Sequence, residues 1–128
     1  MMLVRGVRGA TTVAENDAEM IVAAAADLMR EIIAVNEIEE AHVASVLFTS
    51  TPDLTAAYPA KGARVAGWSQ TALMGMQEID NPEGMPRCIR VLIHWNTEKT
   101  QEELVHVYLN GAERLRPDFA AQKQVRIE

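Results

Sequence analysis

The strongest constraint on this chain is an amphipathic run between residues 16 and 35. Met20, Ile21, Ala24, Ala25, Leu28, Met29, Ile32 and Ile33 recur at four-residue repeats on one stripe, the pattern of a helix wet on one side and buried on the other. Asn16-Asp-Ala-Glu19 just ahead reads as a capping box, a short polar cap with a glutamate three residues later. The spacing therefore predicts a helix running to about Val35 and lying on a sheet through its stripe. In a chain of 128 residues this leaves room for one domain, 1–128, built on one core.

The other apolar segments have strand character. Residues 2–13 are rich in valine and threonine, with Gly6 and Gly9 as points of close approach. Val43 to Thr49 form a second strand, whose Val46-Leu47-Phe48 run reads as buried on both faces, and Thr51-Pro52-Asp53 ends it. Leu54 to Gly67, with its alanines and Pro59, suggests short helical turns. A third strand spans about Ala72 to Ile79, followed by the turn signal Asn81-Pro-Glu-Gly84. Cys88 to Trp95 is the strongest strand pattern. Gln101 to Leu115 fits either an amphipathic helix or a strand over His106-Val-Tyr-Leu109, and Gly111 weakens the helix; periodicity alone leaves both open.

Composition narrows the function. Hydrophobic residues at 48% and charged residues at 23% are globular values, which argue against disorder. The net charge of −6 argues against a nucleic-acid partner, although a local arginine cluster can still bind a small anion. The lone Cys88 excludes an intrachain disulfide and fits a reducing compartment. The N-terminal MMLVRGVRGATT has no apolar signal-peptide core, and no apolar stretch approaches a membrane span, so a cytoplasmic protein without a membrane partner is expected. His42, His94 and His106 lack metal-ligand spacing. No glycine-rich phosphate loop, GxSxG elbow or cysteine pair is present, so neither a metal nor another cofactor is expected.

The informative residues are charges inside apolar strands. Two-residue alternation puts Arg90 on one face with Cys88 and Leu92, Arg8 with Val4, Gly6 and Ala10, and Glu78 with Met74 and Met76. An unpaired buried guanidinium costs several kcal/mol, so each such charge needs a partner. Spacing leaves three readings open: structural pairs of Arg8 and Arg90 with Glu78 or other acids, exposure at strand ends, or a pocket for a dianion. Lys61, Arg64 and Arg116, with Tyr58 and Tyr108 nearby, extend the last reading, since arginine forks suit carboxylates.

Arg5-Gly-Val-Arg-Gly-Ala-Thr-Thr-Val13, Thr51-Pro-Asp-Leu54, Tyr58-Pro-Ala-Lys61, Met76-Gln-Glu78, Cys88-Ile-Arg-Val91, His106-Val-Tyr-Leu109 and Leu115-Arg-Pro-Asp118 together resemble the trimeric, barrel-type monofunctional chorismate mutases, in order and spacing over nearly the whole chain. The resemblance implies an α+β fold: a mixed five-stranded sheet with one long helix on its outer face, three subunits forming a pseudo-α/β-barrel. It also implies that Val105 to Leu109 is a strand, and that chorismate is converted to prephenate in pockets between subunits of a homotrimer. Arg8, Glu78, Arg90 and Tyr108 match the family's pocket residues. Met74, Gly75, Met76 and Gln77 match the segment beside the ligand, and Tyr58, Lys61, Arg64 and Arg116 match its mouth.

By the same resemblance, Arg90 and Glu78 are the catalytic pair and the others bind substrate. Gly75 stands where better-known members carry a cysteine, so a contact to the substrate hydroxyl would be made by main chain or missing. Tyr58 stands where phenylalanine is familiar. An alternative is a trimeric small-carboxylate-binding or imine deaminase protein of the YjgF type, which would explain interfacial arginines but not Glu78 and Arg90 together with the Leu-Arg-Pro-Asp tail. A trimer that senses chorismate or prephenate without converting it is a further alternative.

Overall fold

The structure, a computed structural model, describes residues 1–115. Its strands are β1 (Leu3–Thr12), β2 (Val43–Ser50), β3 (Leu73–Gln77), β4 (Cys88–Thr97) and β5 (Val107–Tyr108), and its α-helices are α1 (Ala18–Asn36) and α2 (Lys61–Val65). The sheet order is β3-β2-β4-β1-β5. β4 runs antiparallel to both β1 and β2, while the two edge strands pair in parallel, β3 with β2 and β5 with β1. This is the mixed five-stranded α+β sheet that the sequence led us to expect.

Alternation along the strands gives the sheet two unlike faces. Val7, Val46, Phe48, Ile89, Val91, Ile93 and Trp95 are buried, and they form one core with Ile21, Ala25, Leu28, Met29 and Ile32 of α1. Burial of each large aliphatic side chain on that stripe contributes on the order of 2 kcal/mol. Gly9 admits α1 to this close range: a Cβ there would sit 2.6 Å from Ile32 Cδ1 and 3.1 Å from the Val107 carbonyl of β5. No α-helix covers the opposite face among the described residues, although a 3-10 helix at Asn110–Leu115 packs its Ala112 over Ala10, Cys88 and Tyr108 at one end of it. That face carries Val4, Gly6, Arg8, Leu47, Met74, Met76, Arg90, Leu92 and His94, of which Val4, Met74 and Met76 are largely exposed.

Several expectations need correction. Asp17, not Asn16, caps α1, accepting from the Met20 amide at 3.0 Å. Asn16 instead ties the helix entry to the next layer, its Oδ1 accepting from the Thr55 and Ala56 amides at 2.9 and 3.0 Å. Met20 is exposed and Ala26 takes a place in the buried stripe, because α2 crosses there. Leu47 is only half-buried, since its face of β2 is the open one. β3 is shorter than expected, ending at Gln77. The ambiguous final third resolves as a strand at Val107–Tyr108.

That last strand is held by a residue the sequence gave no reason to single out. Asn36, fully buried at the end of α1, donates to the Ile32 and Val105 carbonyls at 3.0 and 2.8 Å, and its Oδ1 accepts from the Val105 amide at 2.8 Å. Two of these bonds satisfy both main-chain groups of a buried residue two positions before β5. Arg116 and the Pro117-Asp118 tail lie outside the described residues.

Candidate active site

One row of the open face runs across all five strands. The pairings put Met76, Thr49, Arg90, Ala10 and Tyr108 side by side. Arg8 lies one step along β1, in a row with Leu92, Leu47 and Met74. At a strand spacing of about 4.8 Å, Arg90 and Tyr108 are roughly 10 Å apart in backbone, with only the small Ala10 between them. Ala112 closes over that point, and it is buried together with Ala10, Cys88 and Tyr108.

Glu78 follows the end of β3, its amide donating to the Ser50 carbonyl at 3.0 Å. Its Oε2 lies 3.0 Å from Arg90 Nε and accepts from Thr49 Oγ1 at 2.7 Å. The carboxylate is mostly enclosed and the guanidinium about one-third exposed, so one end of the pair is fixed while the other faces outward. Of the alternatives left open by spacing, Arg90 therefore does pair with Glu78. The Arg8 side chain makes no hydrogen bond or ion pair with other described residues; its amide donates to His106 Nδ1 at 2.9 Å, which anchors β5 beside β1. Tyr108 is buried with Ala10, Cys88 and Ala112.

Burial pushes the Cys88 thiol up to about 11; neighbouring Arg90 opposes the rise and Glu78 adds to it. This is an inert structural thiol at neutral pH. Above it the chain is clamped by Asp53, which accepts from Thr51 Oγ1 at 2.6 Å and from the Arg87 amide at 2.9 Å. The Cys88 amide in turn donates to Thr51 Oγ1 at 3.0 Å.

Two concavities flank the β3 edge. The first contains Arg90 and Glu78, with Asp53, Asp80, Glu83, Met85 and Leu115 around them. The second contains Tyr58, Lys61, Arg64, Leu73 and Gly75 and has no acidic residue in its lining. Thr49, Met76 and Gln77 border both. Lys61 and Arg64 are three apart on α2 and so project from the same side. A Cβ on Gly75 would meet nothing within 4 Å, so its lack of a side chain leaves open space rather than relieving a clash. The expected site residues thus divide: Arg90 and Glu78 on one side of the strand edge, Tyr58, Lys61, Arg64 and Gly75 on the other. Arg8, Tyr108 and Met74 line neither concavity of the single chain, and Arg116 lies outside the described residues. Thr49 was not foreseen, because a threonine in a strand is unremarkable in sequence.

A sheet whose open face ends in a fixed guanidinium–carboxylate pair, beside a second hollow lined with cations, defines a protein that handles a small anion through shape and charge. The chain matches the family described as chorismate mutase type I over residues 4–119, and it belongs to that family. It is 44% identical to chorismate mutase AroH of Thermus thermophilus over 118 residues, covering 91% of this chain and 97% of the relative. It is 38% identical to chorismate mutase AroH of Bacillus subtilis over 127 residues, covering 98% of this chain and all of that one. A chorismate mutase structure from Clostridium thermocellum superposes with a TM-score of 0.84 at 50% identity, covering 87% of this chain and 99% of that one. These matches make the chain an isomerase and displace the imine deaminase alternative.

Proposed function

We propose that residues 1–128 act as one catalytic domain that converts chorismate to prephenate in pockets shared between copies of the chain. In this isomerisation the C–O ether bond breaks as a new C–C bond forms, with no proton transfer and no group lost. The protein must hold the compact conformer, in which the bonding carbons are near each other, and stabilise negative charge growing on the ether oxygen. Arg90 supplies that stabilisation as a fixed cation already oriented by Glu78. The other oxygen of Glu78 accepts the ring hydroxyl. Arg8 and Tyr108 hold a carboxylate, Met74, Gly75, Met76 and Gln77 run along the ligand, and Tyr58, Lys61, Arg64 and Arg116 gather and enclose it.

The observation that carries the shared pocket is the division across β3. Arg90 lines one hollow while Lys61 and Arg64 line the other, and a neighbouring copy that presents its Lys61–Arg64 hollow to Arg90 would surround the dianion with cations from two chains. The open sheet face, with Val4, Met74 and Met76 exposed and Leu47 and Leu92 half-buried, supports the homotrimer as the way such copies meet. A cytoplasmic location belongs to the same reading and is supported by the single buried thiol.

The test follows loss of chorismate's ultraviolet absorbance. Arg90→Ala should lower turnover by two orders of magnitude or more, on the order of 3 kcal/mol, with the assembly intact by sedimentation. Co-assembly of Arg90→Ala chains with Arg64→Ala chains should then restore activity, because each mixed trimer regains one pocket with both halves intact. A fully active Arg90→Ala enzyme would overturn the mechanism. Failure of the mixture to gain activity would overturn the shared pocket.

A further inference from the structure

The geometry points to Thr49 as the positioning residue that sets the Arg90–Glu78 pair for catalysis. It lies between the two on the sheet, paired with Arg90 on β4 and with Met76 on β3. Its hydroxyl donates to Glu78 Oε2 at 2.7 Å, and that same oxygen lies 3.0 Å from Arg90 Nε. The backbone of Glu78 is fixed from β2 as well, through its bond to the Ser50 carbonyl. One carboxylate oxygen is therefore held by two donors, which leaves the other free for a ligand hydroxyl and removes the carboxylate's freedom to rotate.

A hydroxyl bound to an ionised carboxylate is stronger than a neutral pair. Loss of this one releases the Glu78 rotamer, and the guanidinium it orients loses its aim. The consequence falls on the transition state, because charge at the ether oxygen exists only there. Thr49 touches no reacting atom in this scheme, so it acts through Glu78. The inference rests on the proposed roles of Arg90 and Glu78.

The experiment compares Thr49→Val, Thr49→Ser and Arg90→Ala in the full chain, then Thr49→Val in a Glu78→Ala background. Valine keeps the branched shape and suits a strand, so the fold is retained, with circular dichroism as the check. Thr49→Val should lower kcat about tenfold with a smaller change in KM. Thr49→Ser, which keeps the hydroxyl, should stay within about twofold of the parent. In the Glu78→Ala background the valine should cost nothing further. A wild-type kcat for Thr49→Val beside an inactive Arg90→Ala would overturn the role of Thr49 alone. A full valine penalty without Glu78 would do the same. An active Arg90→Ala would overturn the site reading and this inference with it.

Discussion

Replacement of Asn36 by leucine tests the link between the long helix and the strand that carries Tyr108. Leucine has nearly the same shape as asparagine but can neither donate nor accept. The substitution strips the Val105 amide and carbonyl of their partners inside a region where both residues are fully buried. Each orphaned group costs about 1–3 kcal/mol, and the apolar side chain returns about 1–2 kcal/mol. The third bond, to the Ile32 carbonyl, adds little because that carbonyl lies within the helix. With about 4 kcal/mol lost for the two groups and about 1.5 kcal/mol returned, the net loss is about 2.5 kcal/mol, which for a chain of this size lowers the thermal midpoint by roughly 10 °C. The assay is thermal unfolding followed by circular dichroism at one fixed protein concentration, since assembly makes the midpoint concentration-dependent. Hydrogen exchange read on the peptide containing Val105 to Tyr108 should accelerate before that of β4, and KM should rise because Tyr108 is less firmly placed. A midpoint within about 2 °C of the parent, with unchanged exchange in that segment, would refute the argument that this side chain holds β5.

Two further outcomes follow from close packing and from burial. Gly62→Ala should destabilise the protein by about 1–3 kcal/mol, although alanine normally favours a helix, because its Cβ would lie 2.5 Å from Ala25 Cβ and 2.6 Å from the Ala26 amide nitrogen; a raised urea midpoint would show that the two helices can separate freely. Cys88, raised from 9.0 to about 11 mainly by burial, should resist thiol reagents at pH 8 until urea unfolds the chain. The native state holds this proton longer than the unfolded state, so its contribution to stability is complete below pH 9 and lost as pH rises through about 11. Rapid labelling of the folded protein at pH 8 would contradict this.

Much of the fold was legible because it rests on local periodicity. The α1 stripe and the alternation in β4 each repeat often enough that single departures, such as exposed Met20 or the shift of the cap to Asp17, do not alter the element. Arg90 and Glu78 were visible as charges in apolar surroundings. Thr49 and Asn36 were not, since their meaning comes from partners 29 and 69 residues away and neither residue is unusual where it stands. The five-residue α2 was equally weak in sequence. Its position is fixed by Gly62 against α1, a tertiary contact with no local signature.

The division of charge also explains how an acidic chain can act on a dianion. Around Arg90 the lining carries Asp53, Glu78, Asp80 and Glu83, four carboxylates against one guanidinium. One of the four is neutralised by Arg90 itself at 3.0 Å, and the rest leave the hollow unwelcoming to an anion. Asp53, Asp80 and Glu83 are exposed, so water and salt screen each of them, but together they still work against an anion that one cation must hold in an isolated copy. The Lys61 and Arg64 hollow has the opposite balance, with two cations and no acid. If a neighbouring copy brings that hollow over Arg90, the dianion meets cations on both sides, and Glu78 remains to hold Arg90 in place. On the proposed reading, assembly does more than stabilise an open sheet face: it reverses the sign of the field in which the ether oxygen gains its charge. Affinity for substrate should therefore depend on ionic strength mainly through Lys61 and Arg64, which are exposed, whereas the contribution of the partly enclosed Arg90 to kcat should be far less sensitive to salt.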